Sequence, residues 1–239
     1  MAHITRKELK KDELRDSFVH GAEAVYSHQK LAAMIIGAVL IVLVAILGWR
    51  FYADRQTGKA SAALDDAMQV YNARIRTAAE PAEPGEVTYT ADKNKYEDAA
   101  KKLTEVAAKY PRTRPGQMAR YYAALSYEQL GRNDEAAKSL QEVANSGDNE
   151  IAAVARFALA KLYDQTGKGD EAVKLYQQLI AKPAILAPKP VVMLALAGHY
   201  AKTNPSEAAK LYNQVKLDYP DSAMSRQADE QLDLLPGKS

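Results

Sequence analysis

Asp134-Glu135-Ala136-Ala137-Lys138-Ser139-Leu140, Asp170-Glu171-Ala172-Val173-Lys174-Leu175-Tyr176 and Ser206-Glu207-Ala208-Ala209-Lys210-Leu211-Tyr212 are three versions of one heptapeptide, each 36 residues after the last. A fourth, Glu97-Asp98-Ala99-Ala100-Lys101-Lys102-Leu103, begins 37 residues before the first of these. Self-similarity at a fixed period of this length marks a chain of stacked supersecondary units, each burying its apolar face on the next. Residues upstream keep the same register: Tyr127 and Gly131 return as Tyr163 and Gly167, and Tyr200 is offset by one where Asn204-Pro205 shortens the turn.

The residue types at these positions describe a pair of antiparallel helices. Gly131 and Gly167 are placed to end a first helix in the left-handed conformation that glycine reaches without penalty. Asp134, Asp170 and Ser206 are the residue types that cap a helix N-terminus, and the acidic residue after each favours the positive end of the helix dipole. Ala136, Ala172 and Ala208 are small where two helices approach closely. Tyr127, Tyr163, Leu140, Tyr176 and Tyr212 are large and fill the space between helices, so the aromatics read as packing residues rather than a cofactor box.

Taken together, a Tyr, a Gly four residues later, an Ala nine after the Tyr and a large apolar residue four beyond that resemble the tetratricopeptide repeat. Tyr127, Gly131, Ala136 and Leu140 fit, as do Tyr163, Gly167, Ala172 and Tyr176. The period exceeds the 34 residues usual for that repeat, and the inter-repeat proline is displaced to Pro183, Pro188 and Pro190. The expected fold is an all-α solenoid of tetratricopeptide-like helical hairpins, about four units and a C-terminal capping helix. The first helix of the first unit is expected at about Ala60 to Thr77 and its partner at about Lys95 to Tyr110. Residues 78 to 94 form a flexible insertion, since Pro81, Pro84 and Gly85 interrupt any helix there. Pro111 and Pro220 each follow a Tyr at the end of a second helix, and Ser222 to Leu235 reads as the solvent-facing cap that solenoids need.

Ahead of the repeats lies a different kind of sequence. Leu31 to Trp49 is a run of 19 uncharged residues, all hydrophobic except Gly37 and Gly48. As a helix it is about 28 Å long, close to the hydrocarbon thickness of a bilayer. A buried core helix of this length shows a polar stripe, and none is visible. A cleaved signal peptide has a short polar leader, whereas about 30 residues precede this run. Residues 31–52 are therefore read as a retained transmembrane helix, with Trp49, Phe51 and Tyr52 as its interfacial aromatics. The flanking charges tie, but Arg6, Lys7, Lys10, Lys11, Arg15 and Lys30 give the short N-terminal segment six cations, which places the N-terminus inside and residues 53–239 outside the cytoplasm. Leu14, Phe18, Ala22, Val25 and Tyr26 recur at helical spacing, so residues 1–30 contain either an amphipathic helix lying on the cytoplasmic membrane surface or against a partner, or a short solvated helix.

Composition restricts function as much as fold. The 239 residues carry 32 Lys and Arg against 30 Asp and Glu, a net charge of +2, without the basic excess that neutralises nucleic-acid phosphates. There is no cysteine, hence no disulfide, thiolate metal site, cysteine nucleophile or lipidated N-terminal cysteine. Of four histidines, His3, His20 and His28 precede the apolar run, which separates them from His199, so they assemble no metal site. His199 beside Tyr200 reads as a packing or surface residue, since a general base needs a substrate or nucleophile in reach. No phosphate-cradling glycine motif occurs. Neither an enzyme, a cofactor nor a small-molecule substrate is expected.

An N-terminal anchor ending Gly48-Trp49-Arg50-Phe51-Tyr52, then an Ala-rich helix reaching Tyr71, then tetratricopeptide units, resembles the ancillary SecYEG translocon subunit family (YfgM-like) of bacterial inner membranes. The resemblance implies a single-pass inner-membrane protein that binds the translocon, periplasmic folding factors or an emerging unfolded chain. The repeat resemblance further implies that first helices line a concave groove, here Met118, Tyr121, Leu125 and Glu128, then Val154, Phe157, Lys161 and Asp164, then Val191 and Leu194. Such a partly apolar lining suits a peptide whose polarity is fixed by Glu128, Lys161 and Asp164. Tyr121, Phe157 and Leu194 equally suit packing between neighbouring helices. The alternative function is a scaffold for envelope assembly or cell division, self-associating through the repeats or the pre-anchor segment.

Overall fold

The computed structural model describes residues 29–77, 80 and 83–236, so the pre-anchor stretch read as amphipathic or solvated lies outside the described residues. Two compact units divide the chain, Met1–Arg55 and Gln56–Ser239. In the first, helix α1 (Gln29–Tyr71) begins, and from Leu31 to Tyr52 its large apolar side chains are exposed, Ile41 to 71% and Trp49 to 68%. Water does not tolerate a continuous apolar surface of this kind. This is the one helix among the described residues long and apolar enough to cross a membrane.

The second unit is the array. The last turns of α1 pair with α2 (Asp92–Lys109); α3 (Arg114–Gln129) pairs with α4 (Asn133–Ala144), α5 (Asn149–Gln165) with α6 (Gly169–Ala181), and α7 (Lys189–Thr203) with α8 (Pro205–Asp218). Helix α9 (Ala223–Asp233) closes the stack, burying Ala228 and Leu232 and exposing most of its other residues. Four hairpins and a cap are what the period requires. Ala136, Ala172 and Ala208 are fully buried, as are Leu140, Tyr176 and Tyr212, so these two positions of the heptapeptide supply the contact surface of each second helix while its charged positions stay exposed, apart from the half-buried Glu207.

Turn chemistry explains the tightness of the hairpins and corrects one expectation. Gly131 (φ +71°) and Gly167 (φ +80°) adopt the left-handed conformation. The amides of Arg132 and Lys168 then donate to the Tyr127 and Tyr163 carbonyls at 2.9 and 2.8 Å, closing a Schellman turn at each helix end. The residue that completes this turn is already the N-cap of the next helix, because the carbonyls of Arg132 and Lys168 accept from Ala136 and Ala172. Asp134 and Asp170 therefore sit inside the first turn and are not the caps. They act through the helix dipole. Ser206 is likewise displaced by Asn204, whose side chain accepts from the Glu207 amide after Pro205 takes the first helical position.

Between units a second turn recurs. Tyr110-Pro111-Arg112-Thr113 and Tyr219-Pro220-Asp221-Ser222 place a hydroxyl where it donates to the Tyr carbonyl behind it, at 3.0 and 2.7 Å, and accepts an amide of the next helix ahead, at 3.1 and 3.0 Å. Each proline follows the residue that ends the second helix, where it removes no helical hydrogen bond.

The first unit departs from its sequence reading at both helix ends. Helix α1 stops at Tyr71, not Thr77, and α2 starts at Asp92, not Lys95. Between them the two-residue strands β1 (Arg74–Ile75) and β2 (Thr88–Tyr89) pair in parallel, with the Arg76 amide donating to the Tyr89 carbonyl at 2.8 Å. Arg74 bonds Glu86, and Tyr89 donates to Asp98 at 2.9 Å. Burial and the Asp98 carboxylate push the Tyr89 phenol up to about 12.

Candidate functional site

First and second helices of each unit occupy different sides of the array. Successive first helices touch, α3 with α5 and α5 with α7, whereas among the described residues no comparable contact joins α4 to α6 or α6 to α8. First helices thus form an inner face, and second helices splay on an outer one.

Met118, Tyr121, Leu125 and Glu128 run along α3 at spacings of three and four, one stripe of a helix. All four are half-buried, and Met118, Tyr121 and Leu125 pack on the α4–α5 core around Leu140, Ile151 and Ala155. On α5, Val154 and Phe157 are half-buried and Lys161 is exposed; the Phe157 ring meets Tyr176 edge-on at 6.1 Å. On α7, Val191 is half-buried, whereas Leu194 joins the core formed with α8 and α9. Tyr121 and Phe157 pack between helices with one edge still accessible, and Leu194 is almost wholly enclosed.

Asp164 has a structural partner that its sequence position does not announce. Its Oδ1 lies 2.6 Å from Nδ1 of His199, a buried histidine on α7. The pair ties the third unit to the fourth, and the backbone of Gly169 presses so closely on the imidazole that a Cβ there would come within 2.8 Å of Cε1. His199 is a packing residue, one of the two readings its sequence context allows. The only sequence signal for the pair is that Asp164 and His199 occupy nearly equivalent repeat positions.

A tyrosine cluster at the first-unit end of the inner face was not visible in the stripe pattern. Tyr71 on α1 lies 6.0 Å from Tyr96 and 5.2 Å from Tyr122, and Tyr122 lies 5.4 Å from Tyr121. Lys95 stacks on Tyr96 at 4.5 Å. Burial, then the neighbouring Tyr122 and Tyr71 and the Glu128 carboxylate, push the Tyr121 phenol up to about 12; burial also raises Tyr71 and Tyr176. The fold therefore holds these phenols protonated beyond the point where an unfolded tyrosine ionises, near pH 10. Stability should be intact below about pH 10 and fall as pH rises from about 10 to 12. Urea midpoints measured alongside tyrosinate absorbance would test this, and constant midpoints across that interval would contradict it.

Two further tyrosines repeat a polar contact. Tyr127 OH shares a hydrogen bond with Thr104 Oγ1 at 3.1 Å, and Tyr163 OH accepts one from Gln141 Nε2 at 2.6 Å, each reaching the second helix of the preceding unit. Arg132 and Lys168 stack on the same two rings at 4.6 and 5.3 Å. Among the described residues, no three His, Asp or Glu side chains come together in a way that would hold a metal ion. What the geometry offers is surface, an inner face with apolar edges and outer clefts.

Comparison with known proteins agrees. A search of curated proteins finds no significant match. The family model for the tetratricopeptide repeat-like domain matches residues 28–183, from the apolar helix through α6 and more than half of the chain. With the hairpins and buried alanines in place at each repeat, and Schellman glycines closing the second and third, the chain belongs to the tetratricopeptide repeat-like domain family.

Proposed function

We propose that this is a single-pass protein of a bacterial inner membrane, held by residues 31–52, whose extracytoplasmic repeat domain, residues 53–239, binds protein at the exit of the secretion translocon. The observation that carries the reading is the union in one chain of an exposed apolar helix of bilayer length with a four-unit array whose inner face keeps apolar edges accessible. Confining such a surface to the membrane raises its effective concentration where chains emerge. The ligand is an extended or helical segment, or a periplasmic folding factor, engaging Met118, Tyr121, Leu125, Val154, Phe157 and Val191, with Glu128 and Lys161 setting its direction. Asp164 contributes by holding His199. The six cations of the N-terminal segment favour the cytoplasm for that end.

Crosslinking in native membranes, followed by affinity purification of the full chain, tests the assignment. Translocon components and periplasmic folding factors are the expected products, and a purification containing neither removes the translocon reading. Self-crosslinks alone would favour a scaffold. A reporter fused to the C-terminus should be active only outside the cytoplasm. Lys161→Glu, an exposed change, should weaken partner capture roughly two- to fivefold, as expected for one partly screened charge, without altering helicity. Unchanged capture would remove Lys161 from the binding surface.

A further inference from the structure

The outer clefts repeat with the chain. The larger, about 370 Å³, has α5 as its floor and α4 and α6 as its walls. One unit earlier, a cleft of about 250 Å³ is built the same way from α3 between α2 and α4. Arg120 and Arg156, Tyr127 and Tyr163, and Lys138 and Lys174 line equivalent places 36 residues apart. Among the charged lining positions one correspondence breaks: Glu142 in the first cleft becomes Gln178 in the second.

That difference changes the state of the arginine. Arg120 Nη1 donates to Glu142 Oε2 at 2.8 Å, so its charge is neutralised from within the fold. Arg156 Nη2 donates to the Ala144 carbonyl at 2.5 Å, and among the described residues no carboxylate lies within ion-pair distance of it. A guanidinium has five N–H donors and does not deprotonate. One neutral acceptor leaves it half-buried with an unmatched charge, for which a carboxylate in bidentate geometry is the natural complement. The wider electrostatics agree. The first cleft sets Arg120 and Lys138 against Glu135 and Glu142; the second, with its continuation along α6, sets Arg156, Lys174 and Lys182 against Glu171 alone. Beside Arg156 the cleft is lined by Leu159, Tyr163 and Leu175, apolar surface next to the unmatched cation.

We propose that the α4–α5–α6 cleft is a docking site for an acidic segment of a protein partner. An Asp or Glu side chain of that segment takes the place Glu142 fills one unit earlier, and a neighbouring apolar residue lies on Leu175 and the Tyr163 ring, both half-buried. The site is on the outer side and does not depend on occupancy of the inner face.

The test uses the full chain in detergent micelles with isotopically labelled arginine side chains, titrated with acetyl-Leu-Glu-Leu-amide and with acetyl-Leu-Gln-Leu-amide. The Arg156 Nε–H resonance should shift saturably with the glutamate peptide and about tenfold or more weakly with the glutamine peptide, the loss expected for one charge-assisted hydrogen bond. The Arg120 resonance should stay still throughout. Gln178→Glu, on an exposed position of α6, should supply the missing internal carboxylate and lower the glutamate peptide's affinity about tenfold, with thermal stability unchanged or raised. Arg156→Gln should abolish the preference for glutamate. Equal binding of the two peptides, no saturable shift, or wild-type affinity in Gln178→Glu would overturn the proposal. Those outcomes would leave the inner-face reading untouched, since its test is Lys161→Glu.

Discussion

Gly116→Ala is expected to lower the free energy of unfolding by about 3 kcal/mol or more, the upper range for overpacking a rigid contact. Gly116 lies in the first turn of α3, where the Thr113 hydroxyl accepts its amide and fixes it over the end of α2. A Cβ there would stand 1.9 Å from the Tyr110 carbonyl oxygen and 2.7 Å from its carbon. These are backbone atoms at the C-terminus of α2, so no side-chain rotation relieves the clash, and relief requires parting the first unit from the second. Gly131→Ala is the control. Its φ of +71° makes alanine unfavourable by about 1 kcal/mol, but nothing lies within 4 Å of the new methyl. Urea denaturation of the full chain followed by circular dichroism should rank Gly116→Ala well below Gly131→Ala. Equal midpoints would mean that the α2–α3 junction yields and the close approach is not structural.

The second large effect is expected at Tyr176. Its ring is 1% exposed and shares a core with Ala153, Ala160, Leu179, Val192 and Leu196, drawn from α5, α6 and α7. Tyr176→Ala removes a buried aromatic ring and should cost about 3–5 kcal/mol. In a stack whose units contact only their neighbours, the loss falls first on the adjacent interface. Hydrogen exchange should therefore accelerate in α7 and α8 more than in α2 and α3. Uniform acceleration would show that the array unfolds as one cooperative block. Tyr176→Phe, which keeps the ring, should stay within about 1.5 kcal/mol of the parent.

How much of this was legible in the sequence depends on the range of the interaction. Ala136, Ala172 and Ala208 could be assigned to helix contacts because a 36-residue repeat forces equivalent positions into equivalent environments, and all three are buried. Gly131 and Gly167 could be assigned to left-handed turns because no other residue enters that conformation so readily. Residue type suggests caps at Asp134 and Asp170 but does not reveal that one turn ends a helix and starts the next on the same residue, Arg132 or Lys168. In the candidate site, the α3 stripe follows from the repeat resemblance, and its spacings of three and four set it on one side of the helix. The tyrosine cluster was not legible, because Tyr71, Tyr96 and Tyr122 belong to three helices whose relation depends on packing. Its sequence position sets Asp164 in the groove, yet its carboxylate meets a histidine 35 residues away on another unit.

By itself, the sequence determined the class of architecture: an apolar helix of bilayer length, then an all-α array with its hairpins, its close-contact alanines and its terminal cap. These follow from hydrophobic run length, periodicity and the conformational limits of glycine and proline, all of which act over a few residues or repeat at a fixed distance. Tertiary structure alone decided which charges are matched. Arg120 and Arg156 occupy equivalent positions, but only the folded chain shows Arg120 reaching Glu142 and Arg156 reaching no carboxylate among the described residues. An ion pair needs its groups within a few ångströms, and that distance is set by how α4, α5 and α6 pack.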